Sequence, residues 1–383
     1  MLNRILWSSD HHTLHQTTPT SHILGNYDDF LFKHNDLAKV SMVANGGDFF
    51  ERMVELPNPE AHYVFEWARG AFHKSFKINP KCVWVFLAGT SSHDWSQPKH
   101  FLNVAPEGMD IRYIDTLCIE TFEALDGMTI MYVPDNMGAM TPDEIWDLAL
   151  KVLGESGLDK VDMVHFHGAF EFQLPAKLRH KCHILERWES ITRYGIFAGH
   201  IHTPAQRGKL YTSGSFDRTR HGEEHPKGGY IIDLNLKTKE FHPVFYENKN
   251  ALPYLTMTVS ESITPEQLLD DLHAFIKKRR LPNHSQIRVS GGSANVVNPM
   301  LKMIANDYPF FGFKAENEAS KDEIVDEALF DTQRYQGVSL TKENLAGSVI
   351  PVARETLVKR GMREEEIEAM VADMTKILKE FTP

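Results

Sequence analysis

Six apolar runs, each too short for a helix, alternate with helical segments over residues 1–250; they span 5–8, 39–44, 83–88, 129–133, 163–167 and 194–198. Such runs read as buried strands, and their alternation with helical stretches points to an α/β fold. Nearly all of them end in Gly, Asp, Asn or His. Polar residues at strand ends are where α/β sheets build their sites, because ligands bind at the loops beyond the strand termini. After Gly199 the pattern turns all-β, with 209-KLYTSGSF-216 followed by 229-GYIIDLNLKTKEFHPVFYE-247, a hairpin expected to turn near Lys237-Thr238.

The strand ends carry metal-ligand chemistry. In order they supply Asp10-His11-His12, then Asp48 within 46-GGDFFE-51, His93-Asp94 within 85-VFLAGTSSHDW-95, 165-HFHG-168 and 199-GHIH-202. A lone strand-end histidine usually makes an ordinary hydrogen bond. An ordered series of Asp and His at successive strand ends converges on one point above a sheet. Carboxylates with imidazoles suit Mn²⁺, Fe²⁺ or Zn²⁺, and a bridging carboxylate can hold two ions that activate water against a phosphate. In an extended segment His11 points away from its neighbours. His165 competes with His167, and the latter is preferred as the last residue before Gly168. The stretch 25-GNYDD-29 reads as ordinary loop, and 180-HKCHILERW-188 as a surface helix rather than a zinc site.

Taken as a set, Asp-x-His, Gly-Asp, the Gly…His-Asp loop, a lone strand-end His and Gly-His-x-His resemble the calcineurin-like metallophosphoesterases. The stretch 214-GSFDRTRHGEEHPKGGYIIDL-234 is similar to a segment of the SbcD-type DNA repair exonuclease subunits within that superfamily. The resemblance implies an α/β, four-layer metallophosphoesterase β-sandwich flanked by helices over 1–250. A small β-α-β capping domain would follow over 251–319 and a C-terminal helical tail over 320–383. It also implies two divalent ions, most simply Mn²⁺: Asp10, His12 and His202 would hold one, His167 and His200 the other, with Asp48 bridging. His93 would act on the scissile phosphate or the leaving oxygen, and Asp94 would orient its imidazole. Arg218 is a candidate phosphate contact or, equally, a salt-bridge partner. The family carries an asparagine directly before the catalytic histidine; here that residue is Ser92, and the missing ligand is expected to be Ser92 or a water.

The expected activity is therefore metal-dependent DNA exo- and endonuclease hydrolysis, within a heterotetramer that pairs a homodimer of this chain with an SbcC-type coiled-coil ABC ATPase. A phosphoesterase acting on small nucleotides or phosphoproteins, or a catalytically impaired scaffold for the ATPase, are the alternatives. The net charge of −11 opposes a lone nucleic-acid binder but fits a partner that supplies much of the DNA grip. In the tail, Ile367, Met370, Val371, Met374, Ile377, Leu378 and Phe381 recur at helical spacing. That face would pack on the chain's own core or dock the ATPase. Three scattered cysteines fit a reducing cytoplasm. The sequence has neither a signal-peptide pattern nor an apolar run near the roughly 20 residues of a membrane helix.

Overall fold

The computed structural model describes residues 3–54, 58–135, 140–175 and 180–316, with Glu368 and Val371, both helical. The chain divides into two units, Met1–Glu316 and Asn317–Pro383. The expected ATPase-binding tail, 320–383, lies outside the described residues apart from those two helical positions.

Two six-stranded sheets dominate the first unit. The first sheet takes β1 (Asn3–Ser8), β2 (Val40–Asn45), β3 (Val83–Leu87), β4 (Ile111–Ile114), β11 (Gly228–Asn235) and β12 (Glu240–Glu247), in the order β12-β11-β1-β2-β3-β4. The second takes β5 (Cys118–Phe122), β6 (Met128–Val133), β7 (Val161–His167), β8 (Thr192–Gly199), β9 (Ala205–Arg207) and β10 (Leu210–Thr212), in the order β5-β6-β7-β8-β10-β9. β1 to β4 run parallel, as do β6, β7, β8 and β10, while β11, β12, β5 and β9 pair antiparallel with their neighbours. The hairpin β11–β12 closes between Asn235 and Glu240, spanning the expected turn.

Period-two alternation decides what each strand face buries. In β1, Ile5 and Trp7 face the second sheet while Leu6 faces the opposite way; in β3, Val83, Val85 and Leu87 face inward while Trp84 and Phe86 face outward. The inner faces meet in a core that includes Ile130, Tyr132, Met163 and Phe197 from the second sheet. Helices α1 (Thr20–Asp28) and α2 (Pro59–Ile78) cover the outer face of the first sheet through Leu24, Tyr27, Val64 and Phe72. Helices α4 (Pro142–Glu155) and α5 (Leu185–Ser190) cover that of the second through Ile145, Ala149 and Trp188. The result is helix on sheet on sheet on helix. Each fully buried aromatic, Phe197 for example, contributes roughly 2–3 kcal/mol.

Stop and start signals are local. Asn58 caps α2 by accepting from the Glu60 N–H, with Pro59 at the first helical position. Thr141 and Glu144 form a capping box on α4. The stretch 25-GNYDD-29, expected as loop, lies in α1, running on into a π-helical turn: Asn26 donates to Asp217 at 2.8 Å and Asp28 accepts from the Trp67 indole at 2.9 Å. From Tyr254 a third, all-parallel sheet begins, β13 (Tyr254–Thr258), β14 (Gln286–Ser290) and β15 (Gly312–Ala315), crossed over by α6 (Pro265–Arg279) and α7 (Ala294–Asp307). It is thus a β-α-β-α-β unit with its own core around Leu268, Leu272, Ile287 and Leu301. Among the described residues no helix is long and apolar enough to cross a membrane.

Candidate metal centre

The C-terminal ends of the parallel strands from both sheets meet at one place. β1 delivers Asp10 and His12, β2 delivers Asp48, β7 ends on His167, and the segment after β8 carries His200 and His202. Two separate donor groups result, Asp10–His12–His202 and Asp48–His167–His200, and a third, His12–Glu51–His93, shares His12 with the first; in each the ligand atoms lie within 4.8 Å of one another. All six expected Asp and His ligands are therefore brought together. Asp10, His12, Asp48 and His200 all sit at positive φ, between 49° and 86°. Non-glycine residues rarely adopt that region, and such strain collects at functional sites.

The imidazoles are oriented from behind. His167 Nδ1 lies 2.7 Å from the Gly46 carbonyl, so Nδ1 donates and Nε2 faces Asp48 Oδ2, 3.2 Å away. His12 Nδ1 is 2.6 Å from Glu51 Oε2, and His202 Nδ1 is 2.5 Å from Glu223 Oε1. The Nε2 atoms of His12 and His202 face each other at 2.9 Å. Two ring nitrogens so close either share a proton or flank a cation. Carboxylate–histidine pairs of this kind fix ligand histidines in metal sites. The donor set therefore fits a divalent first-row ion.

Burial disfavours every charge here, and partners decide the outcome. Burial opposes ionisation of Asp48, but the neighbouring His167, His93 and His12 outweigh it and hold the carboxyl below its usual range. Against the same burial cost, Asp48 raises His167 to about 10. Glu51 falls to about 2 because His12 and His93 overcome its desolvation. Glu223 is likewise held well below the carboxylate range by His202, Lys227 and Arg220.

His93 stands edge-on to His12, ring centroids 5.1 Å apart, with Nδ1 3.0 Å from the Glu51 carbonyl. Asp94 does not orient it. The Asp94 carboxylate accepts the backbone N–H groups of Asp48, Phe50 and Gly89 at 3.0–3.1 Å, bracing the Asp48 loop. The two residues occupy one helical turn, α3 (Ser91–Asp94), where neighbours in sequence do not face each other. Burial, then the Asp48 charge, pushes Asp94 up to about 6. The Ser92 hydroxyl is buried and makes no hydrogen bond, while its carbonyl accepts from the Trp95 indole. The group beside Asp48, His167 and His200 is Thr90, with Asp135 next to it.

The Arg218 guanidinium pairs with backbone carbonyls rather than with the cluster or a carboxylate. It donates to the carbonyls of Glu223 and Ala251 at 3.0 and 2.9 Å, lacing the post-β10 loop to the start of the third sheet. His11 turns away as expected, stacking on Phe216 and meeting Asn45 at 2.9 Å. His165 lies deeper between the sheets, edge-on to Tyr132 and Phe197. Of 180-HKCHILERW-188 only the end is helical, and His183 is buried against Phe166 and Trp188.

Sequence reasoning missed Glu51, Thr90, Asp135 and Glu223. Two were visible as acids inside quoted motifs, Glu51 three residues after Asp48 and Glu223 within 214–234. Thr90 directly follows the Gly89 of its loop. Asp135 carried no signal beyond standing just past a strand end. Compared with known proteins, the chain matches no protein-family model and no curated protein.

Proposed function

We propose that the chain is a metal-dependent phosphodiesterase acting on DNA, an SbcD-type nuclease subunit working with a coiled-coil ABC ATPase as a homodimer within a heterotetramer. The layered arrangement of its two sheets would then be the metallophosphoesterase sandwich. The observation that carries the reading is the pair of donor groups meeting at the shared sheet ends, with His12 Nε2 and His202 Nε2 facing each other and His93 alongside. Two Mn²⁺ ions are the proposed cofactors. Bound there, such ions lower the pKa of water and neutralise phosphate charge.

The chain's own residues do the rest. Asp10, His12 and His202 would hold one ion, and His167 and His200 the other, with Asp48 bridging, through nitrogens aimed by Glu51, Glu223 and the Gly46 carbonyl. His93 has Nδ1 committed to the Glu51 carbonyl, so proton transfer to the leaving oxygen falls to Nε2. DNA as substrate is supported by the 214–234 resemblance and by the unit that begins at Tyr254, in the place of a cap. The test is cleavage of linear duplex DNA against hydrolysis of mononucleotides, each with Mn²⁺. Expected are DNA cleavage, its loss with EDTA, and a fall of about a hundredfold or more in His93→Ala and Asp48→Ala. Equal cleavage by the Asp48→Ala protein overturns the metal reading; turnover of mononucleotides but not DNA overturns the nuclease reading.

A further inference from the structure

We propose that Thr90 and Asp135 complete the second metal position, replacing the amide ligand the resembled family carries and giving that position a carboxylate of its own. The inference rests on the two-ion reading above and names ligands outside its expected set.

Thr90 Oγ1 lies among four ligand-type atoms. It is 3.2 Å from Asp48 Oδ2, 3.4 Å from His167 Nε2, 3.3 Å from His200 Nδ1 and 3.4 Å from Asp135 Oδ2. A hydroxyl has one proton to give, and an ionised carboxylate only accepts. Thr90 therefore satisfies Asp48 or Asp135 but not both, and the remaining carboxylate oxygen faces a hydroxyl lone pair. A cation among these atoms removes the conflict, because every one of them then donates electron density to it.

The backbone fixes both residues in place. The Thr90 N–H donates to Asp48 Oδ1 at 2.6 Å, so this loop follows the bridging carboxylate. The Asp135 N–H donates to the Ala88 carbonyl at 3.3 Å, tying the end of β6 to the end of β3. Asp135 Oδ2 stands 4.0 Å from His200 Nδ1, and its side chain is 40% exposed, on the solvent side of the cluster. The Ser92 hydroxyl makes no hydrogen bond to any of these atoms. The second position thus draws oxygens from Asp48, Thr90 and Asp135 against nitrogens from His167 and His200. Oxygen-rich sets favour harder ions such as Mn²⁺.

The experiment is equilibrium binding of Mn²⁺ to the full chain, read as the loss of free-ion EPR signal and as metal per chain after desalting. Wild type should take up two ions. Asp135→Asn, which keeps the shape but not the charge, and Thr90→Val should each keep one ion and weaken the other by about tenfold or more. Ser92→Ala should bind both as wild type does, with circular dichroism confirming that each variant is folded. Wild-type affinity for both ions in Asp135→Asn and Thr90→Val overturns the proposal, as does loss of an ion in Ser92→Ala. Fewer than two ions in wild type overturns the two-ion reading itself, and this proposal with it.

Discussion

Replacing Glu223 by Gln separates the two jobs that this carboxylate performs. It accepts from His202 Nδ1 at 2.5 Å, from Lys227 Nζ at 3.1 Å, from Arg220 Nε at 3.2 Å and from the Thr219 N–H at 3.0 Å. Its side chain is 7% exposed and that of Lys227 is 0%. Glutamine keeps one carbonyl oxygen but turns an NH₂ group toward the buried ammonium, which retains only Ser215 Oγ and the His202 carbonyl. Breaking a buried ion pair in this way costs about 3–5 kcal/mol. For a unit of this size that corresponds to a drop of roughly 5–10 °C in melting temperature. The amide oxygen left facing His202 Nδ1 carries no charge and polarises the ring less, which also weakens Mn²⁺ binding by about 10–100-fold. The assay pairs thermal unfolding with Mn²⁺ titration, on Glu223→Gln and on Glu223→Gln/Lys227→Met. The second variant removes the stranded ammonium, so it should recover most of the stability and none of the metal affinity. Recovery of both together would show that Glu223 affects the metal only through folding. No change in either quantity in the single variant would refute the pairing altogether.

Asp94→Ala leaves the buried N–H groups of Asp48, Phe50 and Gly89 without an acceptor, and urea unfolding should show a loss of about 3 kcal/mol or more. At Gly89 an added Cβ would stand 2.2 Å from both the N and Oδ1 of Asp48, so Gly89→Ala should abolish cleavage while retaining secondary structure by circular dichroism. Burial lowers His165 to about 3 and His183 to about 4, below the value of about 6.5 that each has in an unfolded chain. The unfolded state therefore takes up protons first. Each contribution is complete above about pH 6.5 and falls by about 1.4 kcal/mol per pH unit between there and the folded value, so urea unfolding of His183→Leu should show a shallower acid slope.

What the sequence disclosed followed from how strongly each feature was determined. The strands at the centre of both sheets are buried on both faces, so their apolar runs stood out, and the ligands beyond them were legible from residue type and order. β4 and β5 are edge strands with mixed burial, and β9 has three half-buried or exposed residues, so none carries a comparable run. The β-α-β signal from residue 254 was real but stopped short, because α7 and β15 extend it to a second crossover. At the site, sequence adjacency misled twice. His93 and Asp94 are neighbours in the chain yet diverge around a helical turn. Ser92 stands where the family pattern has its asparagine, but the hydroxyl within hydrogen-bond reach of Asp48, His167 and His200 is that of Thr90. Arg218 was read by charge alone, whereas carbonyl groups 5 and 33 residues away claim it.

Both donor groups draw on both sheets. Asp10 and His12 follow β1 while His202 follows β8, and Asp48 follows β2 while His167 and His200 come from β7 and β8. An ion held by either group is thus a further cross-link between two layers already joined along that edge by hydrogen bonds, from His200 N–H to Asp10, His167 Nδ1 to the Gly46 carbonyl and Asp135 N–H to the Ala88 carbonyl. Its binding energy adds to the sheet–sheet contact, and the separation of the sheets sets its coordination distances. Metal loading and the packing of Trp7 against Phe197 are then linked equilibria: a cavity cut in that contact should loosen the ions, and chelation should soften the contact.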